Sequence, residues 1–343
     1  MTRTGDNAWN RRRFLAAASC APISWHSRLD AADVQGLPVN TVTGKLSAKN
    51  LGVTLMHEHV LVDFIGADLV RRDRYDSNEV IRVVLPHLRR IRGLGCETFV
   101  DCTPAYLGRD PRLLRRLSEA SGVRIITNTG YYGAGGGKYV PSHAREESAE
   151  KIADRWIAEF RRGIEGTGIR PAFIKTGVNK GPLNPVDAKL VRASALTHRE
   201  TGMTIACHIG DGAAAVGVVE ILRQEGVAPT ALIWVHAQNG EPEIRDRLAR
   251  AGVFIEFDGV NDTNLPVRVE QVKALPFVGR VLASLDAGWY QVGEPGGGKF
   301  KSYDYFFTTF LPTLRRAGVP ESTIRLMTVE GPSLALQLSI RLI

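Results

Sequence analysis

From about Leu46 onward, short apolar runs alternate with longer amphipathic runs along this chain of 343 residues. Short apolar runs are typical of buried strands, and amphipathic runs are typical of helices that cover a parallel sheet. Eight such units match a closed barrel better than an open doubly wound sheet, which usually has fewer strands. The strand candidates are VTLMHEHV, TFVDCTPA, RIITNTGYY, AFIKTGV, TIACHIGD, ALIWVHAQN, VFIEFDGV and VLASLDAG.

Helical patterns separate these strand candidates, and several of them end in glycine, the residue that favours a left-handed C-terminal cap. We therefore predict an α/β fold, a (β/α)8 TIM barrel, as a single catalytic domain over residues 36–343, because no linker interrupts the alternation. The helix candidates are NEVIRVVLPHLRRIRGL, PRLLRRLSEA, EESAEKIADRWIAEFRRGI, PVDAKLVRASALTHRETG, AAVGVVEILRQEG, EPEIRDRLARAG, PVRVEQVKAL and YDYFFTTFLPTLRRAG.

The composition is that of a globular protein, with 44% hydrophobic and 23% charged residues, so a sizeable core is available. The formal net charge of +8 raises binding to nucleic acid as an option. The arginines fall in mixed-charge helical runs such as EIRDRLARAG, which indicates solvated helix faces rather than a nucleic-acid interface. The four cysteines are too few and too scattered for a disulfide framework or a CxxC zinc site.

The N-terminal segment NRRRFLAAASCAPIS has adjacent arginines followed by small apolar residues. This order is typical of a twin-arginine export signal, so we expect residues 1–35 to form a signal and leader that direct the protein to the periplasm or another extracytoplasmic compartment. Cys20 is a candidate for lipid attachment, and a basic disordered tail is the alternative interpretation of the segment. No later run has the eighteen or so apolar residues of a membrane span.

Candidate metal ligands recur near the C-terminal ends of the predicted strands. His57 and His59 are two residues apart, so both imidazoles face the same side of the first strand. A lone histidine is usually a structural residue, but a set of ligands in register at the strand ends matches the catalytic face of a barrel. The other members of the set are Lys175, His208, His236 and Asp286.

The motifs LMHEHV, FIKTGV, TGMTIACHIG, WVHAQN and LASLDAG occur in order from about Gly44 onward. In these motifs the chain resembles the phosphotriesterase family of the amidohydrolase superfamily, which includes aryldialkylphosphatases and lactonases. The resemblance implies a binuclear centre, most often of two Zn²⁺ ions. His57, His59 and Asp286 would hold the buried metal, and His208 and His236 the more exposed one.

The resemblance also implies that Lys175 bridges the two metals after reacting with carbon dioxide to give a carbamate. A carbamate is anionic and presents two oxygens, whereas a free ammonium would be repelled by two dications. Two such ions would activate a bridging hydroxide to attack a phosphotriester, a lactone or a related ester. Asp286, a ligand close to that hydroxide, is the expected proton acceptor, so Asp286 and Lys175 are the predicted catalytic residues.

Three residues are predicted to contact substrate: Tyr132 after the third strand, Asp258 after the seventh and Trp289 after the eighth. The glycine-rich stretches GAGGGK and GWYQVGEPGGGKFKSY are expected to form lids over the site rather than phosphate-binding loops, because they lack the GxxxxGK[ST] spacing. Lactonases of the family carry an arginine after the seventh strand, whereas here the first one is Arg268. This departure weakens assignment to lactonases that hydrolyse acyl-homoserine lactones.

Two other functions stay open from the sequence. One is a catalytically silent, exported barrel that acts as a binding protein, and the other is a mononuclear amidohydrolase such as a deaminase. The expected partner is a small-molecule ester or lactone, and the resemblance is consistent with a homodimer. His26 lies in the leader, and surface or capping roles are expected for the histidines of the predicted helices, His87, His143 and His198.

Overall fold

The computed structural model describes residues 36–274 and 278–343. Within these ranges the strands are β1 (Pro38–Thr41), β2 (Gly44–Ser47), β3 (Thr54–Val62), β4 (Thr98–Asp101), β5 (Arg124–Ile126), β6 (Asn128–Thr129), β7 (Phe173–Val178), β8 (Thr204–Ile209), β9 (Leu232–Val235), β10 (Phe254–Phe257), β11 (Val281–Ala283) and β12 (Gly288–Gln291).

The strands from β3 to β12 build a closed parallel barrel. β3, β4 and β5 pair in parallel, and β6 to β11 pair in parallel in sequence order. β5 and β6 are two halves of one barrel strand, separated by Thr127. β12 follows β11 after four residues and pairs in parallel with β3, which closes the ring. The predicted (β/α)8 barrel is confirmed, with each predicted strand at its expected place.

Helices follow the barrel strands and cover their outer faces. They are α1 (Ser77–Gly93), α2 (Pro111–Ser121), α3 (Ser142–Glu146), α4 (Ala149–Arg162), α5 (Pro185–Thr201), α6 (Gly212–Gln224), α7 (Pro242–Arg250), α8 (Leu265–Ala274), α9 (Leu311–Arg316), α10 (Glu321–Arg325) and α11 (Gly331–Leu336). Single π-helical turns at Phe306–Phe310 and Leu326–Glu330 precede α9 and α11. No helix of the described ranges is both long and apolar enough to cross a bilayer.

Buried apolar side chains form two clusters, one inside the barrel and one between the barrel and its helices. β9 shows the alternation that separates them, since Ile233 belongs to the inner cluster and Trp234 to the outer one. Both faces of the parallel strands are therefore buried, which explains why the strands have continuous apolar sequences.

The hairpin of β1 and β2 was not predicted, because it begins before the alternation that is recognisable from about Leu46 onward. Its strands are only four residues each, and Val39 joins the inner cluster beside Ala335 of α11. The amide of Asn40 donates to the carbonyl of Pro171, just before β7 begins, so the hairpin lies at the N-terminal end of the barrel. This end is therefore covered by protein, and the opposite end is left for the site.

A bulge in β3 sets the direction of its two histidines. Leu55 pairs with Phe99 and Glu58 with Asp101, so β3 has one more residue than β4 over this interval. Neighbouring residues of a regular strand point to opposite faces. Because of the bulge, Met56 belongs to the inner cluster and its neighbour His57 also points inward, into the barrel mouth.

Candidate metal centre

The six predicted metal ligands come together at one cavity of about 260 Å³ at the C-terminal end of the barrel. The Nε2 atom of His57 lies 3.3 Å from Nε2 of His59 and 3.4 Å from Nζ of Lys175. Oδ1 of Asp286 lies 3.2 Å from Nε2 of His59. On the other side the ring of His236 is 5.1 Å from that of His57 and 4.4 Å from that of His208, between centroids.

These side chains come from five barrel strands. His57 and His59 lie within β3, Lys175 is the third residue of β7 and His208 the fifth residue of β8. His236 directly follows β9, and Asp286 lies between β11 and β12. Parallel strands of a barrel open at the same face, which explains why residues so distant in sequence meet there.

Asp258 is buried behind the histidines and is not part of the cavity wall. Its Oδ2 lies 3.0 Å from Nδ1 of His57, and its Oδ1 lies 2.6 Å from Nδ1 of His236. The amide of Gln238 also donates to this carboxylate. The sequence analysis expected Asp258 to contact substrate, whereas the structure places it where it orients two imidazoles. An Nδ1 proton held by a carboxylate leaves Nε2 free to coordinate.

Thr103 has the corresponding role for His59, because its Oγ1 lies 2.8 Å from Nδ1 of that ring. With both Nδ1 protons engaged in this way, the Nε2 lone pairs of His57 and His59 face each other and the carboxylate of Asp286. Oδ1 of Asp286 is buried and has no well-aligned hydrogen-bond donor. Buried lone pairs that face one another without a shared proton repel each other, and a divalent cation placed between them would remove this repulsion. The residues present therefore fit a metal centre.

The ionisation of His57, His208 and Asp286 agrees with coordination, whereas, against the effect of burial, Asp258 raises the pKa of His236. Burial, reinforced by the Lys175 ammonium, lowers the pKa of His57 to about 3. Burial and the neighbouring His236 lower the pKa of His208 well below its ordinary value. Burial opposes ionisation of Asp286, but His57 and His59 outweigh it and lower the pKa of that carboxyl. Neutral imidazoles and an ionised carboxylate are the forms that bind metals.

Asp258 also lies within ligand distance of His57 and His236, but this second group is a hydrogen-bonded cluster rather than a second cation site. The Nδ1 atom of His236 lies 2.6 Å from one oxygen of the Asp258 carboxylate, and the Nδ1 atom of His57 lies 3.0 Å from the other oxygen. Hydrogen bonds of this length use the lone pairs that a cation would need.

The backbone at the site is strained. His236, Asp286 and Trp289 have φ angles of 64°, 51° and 73°, in the left-handed region that residues with a Cβ rarely adopt. Such conformations persist where the surrounding structure imposes them, and they cluster at functional sites. Here His236 after β9 and Asp286 after β11 adopt sharp turns that direct their side chains back over the mouth of the barrel.

Sequence analysis missed Glu58, which lies between the two histidines of β3 and is fully buried. Its carboxylate accepts hydrogen bonds from the hydroxyl of Ser284 and from the backbone amides of Leu285 and Ala287. Burial raises the pKa of Glu58 to about 8 in spite of these donors. Glu58 thus holds the segment that carries Asp286.

Four aromatic side chains form the substrate side of the cavity, and we call them the aromatic wall: Phe64, Tyr132, Tyr139 and Trp289. Adjacent ring centroids are 6.0 Å apart for Tyr132 and Tyr139, 6.2 Å for Tyr139 and Phe64, and 5.5 Å for Phe64 and Trp289. Tyr132 and Trp289 were expected from the sequence. Phe64 and Tyr139 were not, although Tyr139 directly follows the GAGGGK stretch that was expected to form a lid.

The aromatic wall joins the histidines at both ends. Tyr132 lies 5.2 Å from His208, and Trp289 lies 5.0 Å from His59, between ring centroids. Eight rings therefore follow one another around the cavity, four of them imidazoles and four of them apolar or phenolic. One half of the cavity is suited to metal ions and the other half to an apolar group.

The remaining histidines of residues 36–274 and 278–343 lie away from the cavity. His87 is in α1 and pairs with the hydroxyl of Ser302, and His143 in α3 pairs with the hydroxyl of Tyr131. His198 in α5 is fully buried, which corrects its predicted surface or capping role. It joins the carbonyl of Met203 to the backbone amide of Arg341 near the C-terminus.

Arg268, the first arginine after the seventh barrel strand, does not reach the cavity either. Its Nε donates to the carbonyl of Asp258 from α8. The three cysteines of the described ranges are free and buried, and Cys102 lines the floor of the cavity.

A (β/α)8 barrel with four histidines, a lysine and an aspartate around its C-terminal mouth belongs to the class of barrels whose catalytic face can hold metal ions. The model of the phosphotriesterase family matches residues 37–336. The chain therefore belongs to the phosphotriesterase family.

Relatives with assigned names agree with this membership. The "Phosphotriesterase homology protein" of Escherichia coli K12 is 25% identical over 82% of this chain and 97% of the relative. The aryldialkylphosphatase of Saccharolobus solfataricus is 27% identical over 84% of this chain and 95% of its own length. The N-acetyltaurine hydrolase of Tetraodon nigroviridis is 26% identical over 86% and 96%.

Solved structures show the same relationship. The organophosphorus hydrolase from Deinococcus radiodurans superimposes with a TM-score of 0.77 at 28% identity, over 88% of this chain and 97% of that one. A structure described as organophosphate hydrolysis activity engineered from a weak promiscuous lactonase template has a TM-score of 0.78 at 28% identity, over 88% and 100%. The relatives that are named as enzymes are hydrolases.

Proposed function

We propose that this protein is a binuclear-metal-dependent hydrolase that cleaves a phosphotriester, a lactone or a related ester. The observation that carries the proposal is the convergence of metal-binding atoms on Nε2 of His57, which lies within 4 Å of Nε2 of His59, of the Lys175 amine and of the Asp286 carboxylate. A binding protein would have no need for such a concentration of metal-binding atoms beside an aromatic wall.

His57, His59 and Asp286 would hold one metal, and His208 and His236 the other. Lys175 is buried with its amine 3.4 Å from Nε2 of His57, where a carbamate formed with carbon dioxide would be an anionic ligand for the metals. When bound, two divalent cations, for which Zn²⁺ is the first candidate, would supply Lewis-acid polarisation and a water acidic enough to react at neutral pH.

The residues of the chain perform the remaining tasks. Asp286 is ionised and faces the cavity, so it can accept the proton of the attacking water. Asp258 keeps His57 and His236 in one tautomer and one orientation. The aromatic wall packs against the apolar part of the substrate and excludes bulk water, which strengthens the electrostatic interactions inside the cavity.

Attack by water is direct in this proposal, with no covalent intermediate on the enzyme. Cys102 is the cysteine on the cavity floor, and burial raises the pKa of its thiol well above the ordinary value. A thiol that stays protonated is a poor nucleophile. Cys102 therefore contributes to packing rather than to the chemistry.

A turnover screen of the metal-reconstituted protein tests this function. The panel contains aryl phosphotriesters, γ- and δ-lactones and aryl esters, and Lys175→Ala serves as the blank. We expect hydrolysis of at least one class by the wild type, loss of that activity after chelation, and none in Lys175→Ala. Equal inactivity of wild type and Lys175→Ala on every class contradicts the proposal.

Amide hydrolysis is the second candidate reaction. It is favoured by the relatives named N-acetyltaurine hydrolase, which align with 86% of this chain. The same polarisation that activates an ester carbonyl acts on an amide carbonyl. N-acetyltaurine and related N-acyl amino acids belong in the same screen, with release of the free amine as the readout.

We also propose that residues 1–35, which lie outside the described ranges, direct export by the twin-arginine route, with Cys20 as a candidate anchor site. That route carries folded proteins, so a metal centre assembled in the cytoplasm would survive transport. Fusion of residues 1–35 to a reporter tests this, because a reporter that stays in the cytoplasm contradicts it.

A homodimer is the proposed assembly, and sedimentation velocity of the purified protein measures it.

A further inference from the structure

Two lysines lie beside rings of the aromatic wall, one at Tyr139 and one at Trp289. The Nζ atom of Lys138 lies 5.7 Å from the ring centroid of Tyr139, and the Nζ atom of Lys301 lies 5.3 Å from that of Trp289. Phe64 lies between these two rings. Both distances are within the range of a cation–π contact, so each ammonium group lies beside a ring that lines the cavity, although neither lysine lines it directly.

Neither ammonium group has a carboxylate partner among residues 36–274 and 278–343. Other lysines of the chain do find partners, since Lys273 pairs with Glu270 and Lys189 donates to two backbone carbonyls. Lys138 and Lys301 are exposed to solvent and lie against rings that line the cavity. Two unneutralised cations at the edge of a cleft produce a local positive potential that attracts anions.

The cavity and its surroundings therefore have three zones. The metal-binding side chains form one half of the cavity and the aromatic wall forms the other half, while Lys138 and Lys301 lie outside the lining, each beside one ring of the wall. A substrate that matches these zones has a hydrolysable group at one end, an apolar middle and a negative charge at the other end. Phosphotriesters and simple lactones lack that charge.

We propose that the natural substrates of this protein carry a carboxylate at the end remote from the scissile bond, and that Lys138 and Lys301 bind it. The inference rests on the proposed hydrolase function and narrows its substrate class. Each lysine acts in binding rather than in the chemical step, so its contribution belongs in KM and not in kcat.

A matched pair of esters tests this, namely 4-nitrophenyl butyrate and the mono-4-nitrophenyl ester of glutaric acid. The two share a leaving group and differ by the terminal carboxylate. We expect the wild type to have a KM about tenfold lower for the glutarate ester, the factor that one or two charge-assisted hydrogen bonds provide. In Lys138→Gln/Lys301→Gln, KM for the glutarate ester rises about tenfold, kcat is unchanged, and the butyrate ester is unaffected.

Lys45→Gln/Lys49→Gln is the matched control, because it removes the same charge from exposed lysines in and just after the hairpin at the other end of the barrel. It should leave both KM values as in the wild type. Equal KM values for the two esters in the wild type overturn the proposal. An equal rise of the glutarate-ester KM in both double variants also overturns it, since the effect is then one of net charge.

Calorimetric titration of the metal-loaded proteins with glutarate and with butyrate separates this inference from the hydrolase function. We expect glutarate to bind about tenfold more tightly than butyrate to the wild type and equally to Lys138→Gln/Lys301→Gln. Equal affinities for the wild type, including no binding of either acid, overturn the inference. A glutarate preference without turnover of either ester counts against the hydrolase function alone.

Discussion

Glu58 accepts a hydrogen bond of 2.7 Å from the backbone amide of Ala287. The bond joins the first barrel strand to the residue that follows Asp286. Two further donors, Ser284 and Leu285, bind the other oxygen of the same carboxylate. One buried side chain thus holds the sharp turn that aims Asp286 into the cavity.

Glu58→Gln should weaken metal binding without unfolding the barrel. Compared with the ionised carboxylate that is present above the pKa of about 8, the amide keeps the shape but turns one acceptor into a donor, which then opposes an N–H group. We expect a loss of about 1–3 kcal/mol in stability and release of the metal that Asp286 holds at lower chelator concentration. Urea denaturation and chelator titration measure the two effects. Unchanged metal retention in Glu58→Gln would show that Asp286 does not depend on this contact.

Asp258→Asn should reduce metal affinity or activity by about 10–100-fold, because one amide oxygen cannot accept from both His57 and His236. Asp262→Asn is the control, since Asp262 contacts the hydroxyl of Tyr305 outside the cavity. The measurement is the zinc dissociation constant by competition with a chromogenic chelator. Equal affinities of the two variants would contradict the orienting role of Asp258.

Gly130→Ala should disturb the strand that carries Lys175. Gly130 has a φ of 121°, and a Cβ there would overlap the carbonyl oxygen of Lys175. Gly136→Ala is a matched control, because its φ of 68° is also left-handed but the space around it is open. We expect about 1 kcal/mol of destabilisation for Gly136→Ala and distinctly more for Gly130→Ala, measured by urea unfolding. Similar losses in both variants would mean that the close approach has no effect.

The stability of the barrel should depend on pH through His198. Burial lowers the pKa of this side chain below its ordinary value of 6.5 in the folded state. The unfolded state therefore binds a proton below that pH while the folded state does not, so stability falls as the pH falls.

In His198→Gln, the decrease in unfolding free energy between about pH 7.5 and pH 5.5 should be smaller than in the wild type. Metal-free proteins are compared, so that the histidines of the cavity contribute equally to both. If the unfolding free energy of the wild type and of His198→Gln decreases equally over this pH interval, His198 does not titrate as described.

The fold and the ligand set could be predicted because both depend on local pattern. Strand and helix periodicities gave eight units, and the parallel topology then required the strand ends that carry His57, Lys175, His208, His236 and Asp286 to meet. No long-range contact had to be known for this step, since the closed topology supplies it.

Side-chain direction and loop packing could not be predicted in the same way. Asp258 follows a strand and therefore resembled a residue of the rim, but its side chain turns behind His57 and His236. Phe64 and Tyr139 meet only because two loops fold over the same mouth. The hairpin of β1 and β2 was missed because four-residue strands give too little alternation to detect.

The metal content of the reconstituted protein tests the central claim most directly. Wild type and Lys175→Ala are loaded with zinc in the presence of bicarbonate, passed through gel filtration and analysed by mass spectrometry of the metal. We expect two zinc ions per chain in the wild type and fewer than two in Lys175→Ala. One or no zinc per folded wild-type chain, or two in both proteins, would contradict it.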